Sequence, residues 1–324
     1  MKGLCLGVPT PADYPTFLRA VDEILPAAGC NTLVLLIRYQ FAFSRHPEVA
    51  TANPLTREQA AEIAALCRRR GIRLIPKMNL LGHQSGKERG TEDGLLKARP
   101  EFDETPDLDS VRYCRSLCPR HPEVKPVVCD LMDDMIEAFA ADGFHVGCDE
   151  VFEIGHCPRC QGTPNAVLFA DWINTLHQHL VGRRGVEMFM WSDRLLDGQA
   201  TGYGEWEASM NNTAAAVDKV PRDIVCCDWH YGERPDYPSV PYFTGKGFRT
   251  VVCPWREVKA TRALVEFAAT VRSDKVLGVL QTSWCNSGKV CRALLGETAD
   301  GDASAAQVAE SFRIVAASPA WRRA

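Results

Sequence analysis

Apolar and polar positions along this chain come in blocks. Mostly apolar runs recur at 3–8, 32–37, 72–79, 144–150, 186–191, 224–227, 249–253 and 276–282, and each stops at charged, polar or aromatic residues. Runs without strict alternation are what a parallel sheet covered on both faces requires. Between them, apolar residues fall at helical spacing. Phe17, Leu18, Val21, Ile24 and Leu25 follow Asp13, Ile63 and Leu66 follow the capping-box pair Thr56 and Gln59, and Val127, Leu131, Ile136 and Phe139 lie within 121–141. Further helices are predicted over 166–180, 258–271 and 305–317, with a weak helical signal between the fifth and sixth strands. Eight strands with mostly helical connections predict an α/β chain folded as a (β/α)8 TIM barrel, one domain over residues 1–324. The polar stretch from about 80 to 120 is longer than a barrel connection needs, which marks it as functional or disordered.

The fourth run, Phe144-His145-Val146-Gly147-Cys148-Asp149-Glu150, ends in two adjacent carboxylates. Barrel active sites gather at the carboxyl ends of the strands, because the loops leaving them converge there. Neighbouring side chains on an extended backbone point to opposite sides, so the two acids are expected to diverge. Such a pair cannot attack one bond from both faces, as the separated carboxylates of an ordinary glycosidase do. A division of labour follows: one carboxyl donates a proton and the other orients something else. Glu150 qualifies as the donor if burial raises its pKa toward neutrality.

Other strand ends add Arg38 after the second strand, His83 after the third, Trp191 and Asp193 after the fifth, Asp228, Trp229 and Tyr231 after the sixth, Trp255 after the seventh and Trp284 after the eighth. Tryptophans can equally fill a barrel core. Placed beside acids just past the apolar runs, they predict a mouth suited to a sugar, whose ring faces stack on indoles while its hydroxyls bind carboxylates and amides.

Composition narrows the function classes. With 46% hydrophobic and 24% charged residues the chain can build a core and is not disordered. A net charge of −4 without any basic block argues against nucleic acid and against an anionic membrane as partners. No run is long enough to span a bilayer, and the first thirty residues lack the apolar centre of a signal peptide. The 14 cysteines, several within apolar runs (Cys5, Cys226, Cys227, Cys253), fit free thiols in a reducing compartment, and a cytoplasmic location is expected. Cys157-Pro158-Arg159-Cys160 after His156 is half of a zinc-ribbon pattern that Cys114, Cys118 or His156 would have to complete. The preferred reading is reduced thiols bracing a loop, and neither metal nor cofactor is assigned.

The segment His145 to Val151 resembles the His-x-Gly-Gly-Asp-Glu signature of glycoside hydrolase family 20, the β-N-acetylhexosaminidases. Leu74 through Asn79 with Gly82-His83 is similar to that family's third-strand segment, Leu117-Cys118-Pro119 with Pro122-Glu123-Val124 to the opening of its next helix, and Trp191-Ser192-Asp193 and Gly278 through Trp284 to its fifth and eighth strand ends. The resemblance implies a retaining, substrate-assisted hydrolase that removes a terminal 2-acetamido sugar from an N-acetylhexosamine-containing glycan or glycoside. Glu150 would be the general acid and then base. Asp149 would hold the acetamido nitrogen while the substrate's own carbonyl oxygen attacks the anomeric carbon, and Tyr231 would steady that oxygen. Trp191, Trp255 and Trp284 would wall the subsite, with His83 and His145 standing behind the acids.

The chain departs from the family pattern at three places. Cys148 stands at the signature's second glycine, Arg38 is the substitute for an arginine absent after the first strand, and Asn286 stands where the family has a glutamate. Two other readings stay open: a carbohydrate-binding barrel without catalysis, and a metal-dependent barrel hydrolase using His83, His145 and Asp149.

Overall fold

The computed structural model describes residues 1–297 and 302–321. Its strands are β1 (Lys2–Gly7), β2 (Thr32–Leu36), β3 (Arg73–Lys77), β4 (Gly143–His145), β5 (Glu187–Trp191), β6 (Val225–Trp229), β7 (Arg249–Cys253) and β8 (Val276–Gln281), ordered β1 to β8 in a closed barrel. Every apolar run forms a strand. β4 is the one cut far short of its run: regular pairing ends at His145 because the backbone beyond turns left-handed at Gly147, Cys148 and Glu150.

The chain divides into two compact units, Met1–Ile37 with Arg57–Pro76 and Val225–Ala324, and Arg38–Thr56 with Lys77–Ile224. In the first, β1 pairs in parallel with β2 and with β8, and β7 with β6 and β8. The helices Ser239–Gly245, Val258–Thr270 and Ala303–Ala317 supply Val240, Leu264, Val265, Ala268 and Val315 to a core shared with Val252, Val276 and Val279. Apolar burial of this kind contributes roughly 1.5–3 kcal/mol per large side chain.

In the second unit, β4 pairs with β5 and, through His145, with Lys77 of β3. The helix Val124–Phe139 delivers the chain to β4. Ala140, at φ 46°, ends it in the left-handed conformation that stops helices. The long stretch after β3 is mostly irregular yet built around a cation. Arg115 is fully buried and donates to the Asp103 carboxylate at 2.8 Å and to the carbonyls of Thr105 (2.8 Å) and Leu108 (2.6 Å). A buried guanidinium without such partners would unfold the loop. Among the described residues no helix is long and apolar enough to cross a membrane.

Candidate active site

The acids sit on a turn that several partners hold in place. Gly147 has φ 70°, and a Cβ there would come within 2.3 Å of Asn79 Oδ1, so only glycine fits. Its N–H donates to His145 Nδ1 at 3.0 Å, and its carbonyl accepts from Trp191 N at 3.0 Å. Cys148 follows at φ 66° with its side chain fully buried and its thiol toward the Val146 carbonyl. A side chain in this conformation costs roughly 1–2 kcal/mol, which explains why the resembling signature has glycine here. Glu150 is left-handed too (φ 49°), and its N–H donates to Asp193 Oδ2 at 2.9 Å.

These dihedrals overturn the expectation that the acids diverge. Because the backbone is not extended, both carboxylates reach the same imidazole nitrogen. His83 Nε2 lies 3.1 Å from Asp149 Oδ2 and 3.2 Å from Glu150 Oε2.

The two acids are nonetheless shifted in opposite directions. Burial alone would raise Asp149, but the charge and hydrogen bond of His83, joined by the Lys77 ammonium, outweigh it and hold this carboxyl well below the usual carboxylate range. Burial raises Glu150, the negative charges of Asp149 and Asp193 add to it, and the His83 hydrogen bond only partly opposes them. His83 mirrors its neighbour: burial disfavours its charge, yet Asp149 keeps it protonated well above the ordinary imidazole value. One oxygen of Asp149, Oδ1, is buried and makes no hydrogen bond. An ionised carboxylate oxygen left in that position is a strong acceptor awaiting a donor.

Two cations that the apolar pattern did not reveal support this arrangement. Lys77 is buried, donates to Asn79 Oδ1 at 2.7 Å and lies 5.4 Å above the Trp191 ring. Arg194, also buried, binds Asp193 Oδ2 at 2.7 Å and reaches the carbonyls of Glu205, Trp206 and Ala208, which ties the 205–208 loop to the Glu150 backbone through one carboxylate. Burial raises the pKa of Asp193 despite that guanidinium.

Arg38, a non-glycine residue at φ 49°, lines with His83, Glu92, Asp93 and Tyr113 a cavity of about 470 Å³. Tyr113 meets the His83 ring edge-on at 5.6 Å and Trp206 at 5.2 Å, and Phe152 meets Trp206 at 5.1 Å. This aromatic face escaped the sequence because none of the three residues ends a strand.

Other expected site residues are buried or committed to protein partners. His145 has no exposed surface; burial first and the Lys77 charge second keep it neutral, so it braces the turn and touches no solvent. Trp191 is 1% exposed and packs 4.5 Å from the His145 ring. Asp228 is also buried, accepting from Ser239 Oγ at 2.6 Å and lying 3.2 Å from His230 Nε2. Asn286 caps the helix Ser287–Leu294 by accepting from Lys289 N at 3.0 Å, so its carbonyl is committed to the backbone. In the first unit Tyr231 gathers the expected aromatics: its ring is 4.9 Å from Trp229 and 5.3 Å from Trp255, and its hydroxyl accepts from Trp284 Nε1 at 2.8 Å.

A parallel barrel with two adjacent carboxyls at one strand end, one shifted up and the other down, defines the carboxylate acid–base class of barrel sites. The catalytic-domain model of glycosyl hydrolase family 20 matches residues 38–289. The chain belongs to that family. A β-hexosaminidase 1 of Coccidioides posadasii is 23% identical over 221 residues, covering 59% of this chain and 31% of that protein. A β-hexosaminidase of Emericella nidulans is 24% identical over 200 residues, 59% of this chain and 30% of that one. The chain thus spans about a third of the length of these curated relatives. Among solved structures, a chitobiase of Flavobacterium johnsoniae superposes over 97% of this chain and 48% of its own, with a TM-score of 0.71 at 18% identity. An exo-β-N-acetylglucosaminidase of Vibrio harveyi covers 96% and 54%, with a TM-score of 0.68 at 15% identity. At such identities the likeness speaks for the fold.

Proposed function

We propose that this protein is an exo-acting β-N-acetylhexosaminidase that removes a terminal 2-acetamido sugar with retention, the substrate supplying its own nucleophile. The observation that carries the reading is the pair of adjacent carboxyls sharing His83 Nε2 while burial raises Glu150 and charge lowers Asp149. In the first step the acetamido carbonyl oxygen forms a bond to the anomeric carbon, the glycosidic C–O bond breaks, and Glu150 gives its proton to the departing oxygen. Asp149 accepts the acetamido N–H, which raises the nucleophilicity of the carbonyl and neutralises the positive charge of the oxazolinium. In the second step Glu150 takes a proton from water as that water attacks the anomeric carbon and the amide re-forms.

Family membership supports carrying these roles to Asp149 and Glu150. It also supports Tyr231, oriented by the Trp284 indole, as the donor to the acetamido oxygen, and Trp255 and Trp284 as its apolar surroundings. Arg38, on the same cavity as His83, is the proposed reader of the sugar's outer hydroxyls. A reducing compartment such as the cytoplasm is supported by 14 free thiols, all buried except the half-buried Cys129 and Cys285.

The test is hydrolysis of nitrophenyl N-acetyl-β-glucosaminide and galactosaminide, and of a chitobioside whose poor leaving group needs the acid. Turnover that Glu150→Gln abolishes on the chitobioside supports the reading; sugar binding without turnover over both sugars overturns it in favour of a binding barrel.

A further inference from the structure

Away from the acids, three thiols and one carboxylate from separate segments meet in the interior. Cys157 and Cys160 come from the Cys-x-x-Cys turn, Cys118 ends the long loop after β3, and Glu104 lies within that loop. Cys118 Sγ is 3.2 Å from Cys157 Sγ and 3.7 Å from Cys160 Sγ, and one donor atom from each of the four residues lies within 4.8 Å of the others. Glu104, Cys118 and Cys160 have no exposed surface and Cys157 has 2%. The two oxygens of Glu104 are used unequally. Oε1 accepts the backbone N–H groups of Gly155 and His156, both at 2.8 Å, whereas Oε2 is buried without a hydrogen-bond partner. The other residues that sequence offered to complete a half-ribbon are engaged elsewhere: His156 Nε2 with Asp107 at 2.9 Å, and Cys114 Sγ with the His83 N–H at 3.2 Å.

We propose that Glu104, Cys118, Cys157 and Cys160 bind a structural zinc ion, a site that the sequence reading had left as reduced thiols. A tetrahedral ion with bonds of about 2.3 Å to sulfur spaces its sulfurs by about 3.8 Å, which matches the Cys118 to Cys160 separation and requires the Cys118 to Cys157 pair to open by about 0.6 Å. Thiolates select a soft divalent ion over magnesium or calcium. Four protein donors with no solvent-accessible face leave no open position, so the ion does no chemistry on substrate. Binding such an ion would require the thiols to release their protons, so affinity for the metal would rise with pH. The ion would clamp the loop that carries His83 to the loop that follows Glu150, and so hold the imidazole against the acids.

The site can be read without substrate. Protein isolated without chelator should carry about one zinc per chain by mass spectrometry, and refolding with cobalt should give thiolate-to-cobalt charge-transfer absorption with the intense ligand-field bands of a tetrahedral site. Cys160→Ser should lower bound metal at least tenfold. Glu104→Gln, which keeps the three thiols and the backbone acceptor, should keep the fold by circular dichroism yet shift the ligand-field bands and weaken zinc at least tenfold against a competing chelator. Folded wild-type chain that takes up neither zinc nor cobalt with its thiols reduced would overturn the proposal. So would a Cys118 to Cys157 disulfide in freshly isolated protein, or a Glu104→Gln variant with unchanged spectrum and affinity.

Discussion

Two strand ends of this barrel carry the same kinds of residue and do different things. After β4, Asp149 and Glu150 meet His83; near the end of β6, Asp228 meets His230 and Ser239. In the second group both Asp228 oxygens are engaged, by Ser239 Oγ at 2.6 Å and His230 Nε2 at 3.2 Å, Ser239 Oγ is 2.8 Å from His230 Nε2, and Asp228, His230 and Ser239 are buried. The strand beneath runs regularly through Trp229. In the first group one Asp149 oxygen is left without a partner, three residues of the turn are left-handed, and His83, Asp149 and Glu150 keep 16%, 13% and 15% of their side-chain surface. An acid beside a histidine is therefore not what distinguishes a working site. An unmet hydrogen bond, a strained backbone and residual exposure together do, a combination that clusters where ligands bind.

The sharpest way to break the comparison is to neutralise an acid at each end. Glu150→Gln should lower kcat on a substrate with a poor leaving group by about 10²–10⁴-fold, the usual worth of a general acid, with little change in melting temperature. Asp228→Asn should do the reverse: kcat/KM near wild type, and stability lower by about 1–3 kcal/mol because a buried hydrogen bond loses its acceptor. Equal kinetic losses in the two variants would erase the distinction.

A smaller effect is expected in the pH dependence of stability. His83 is raised well above 6.5, so its contribution is complete below 6.5 and is lost as pH rises through the folded value. Asp149 is lowered from 3.8, so its contribution is complete above 3.8 and is lost as pH falls. The stability deficit of His83→Gln, measured by denaturant unfolding, should be largest between about 3.8 and 6.5 and shrink toward alkaline pH. A deficit that is flat or grows toward alkaline pH contradicts the charged pair. The smallest effect should come from Cys148. Cys148→Gly relieves a left-handed side chain at a gain of roughly 1 kcal/mol and loses a small buried group worth about the same, so stability should stay within about 1 kcal/mol of wild type. Cys148→Val, with a branch at Cβ, should destabilise by well over that.

The barrel was legible in the sequence because strands buried on both faces must be written as apolar runs, and all eight were. The acid pair was legible for the same reason, as an interruption of such a run. What the pattern could not carry was direction. The left-handed turn at Gly147, Cys148 and Glu150 brings the acids together where extended geometry would part them, and no hydropathy pattern encodes a φ value. Trp191 and Asp228 were assigned to the mouth because they end strands, but both are buried, since a residue at a strand end can point inward. Lys77 and Arg194 went unnoticed because their burial depends on Asn79 and Asp193, partners visible only in three dimensions. Glu104 was missed because nothing in a polar loop marks one glutamate as the neighbour of three cysteines.

The central claim, that the ligand's own amide opens the glycosidic bond while Asp149 holds it, is tested most directly with nitrophenyl glycosides whose acetyl methyl carries zero, one, two or three fluorines. Each fluorine weakens the carbonyl oxygen as a nucleophile, so kcat/KM should fall steeply along the series, and the Asp149→Asn variant should start from a far lower rate. A flat series would mean that the nucleophile comes from elsewhere, and the account of this site would be wrong.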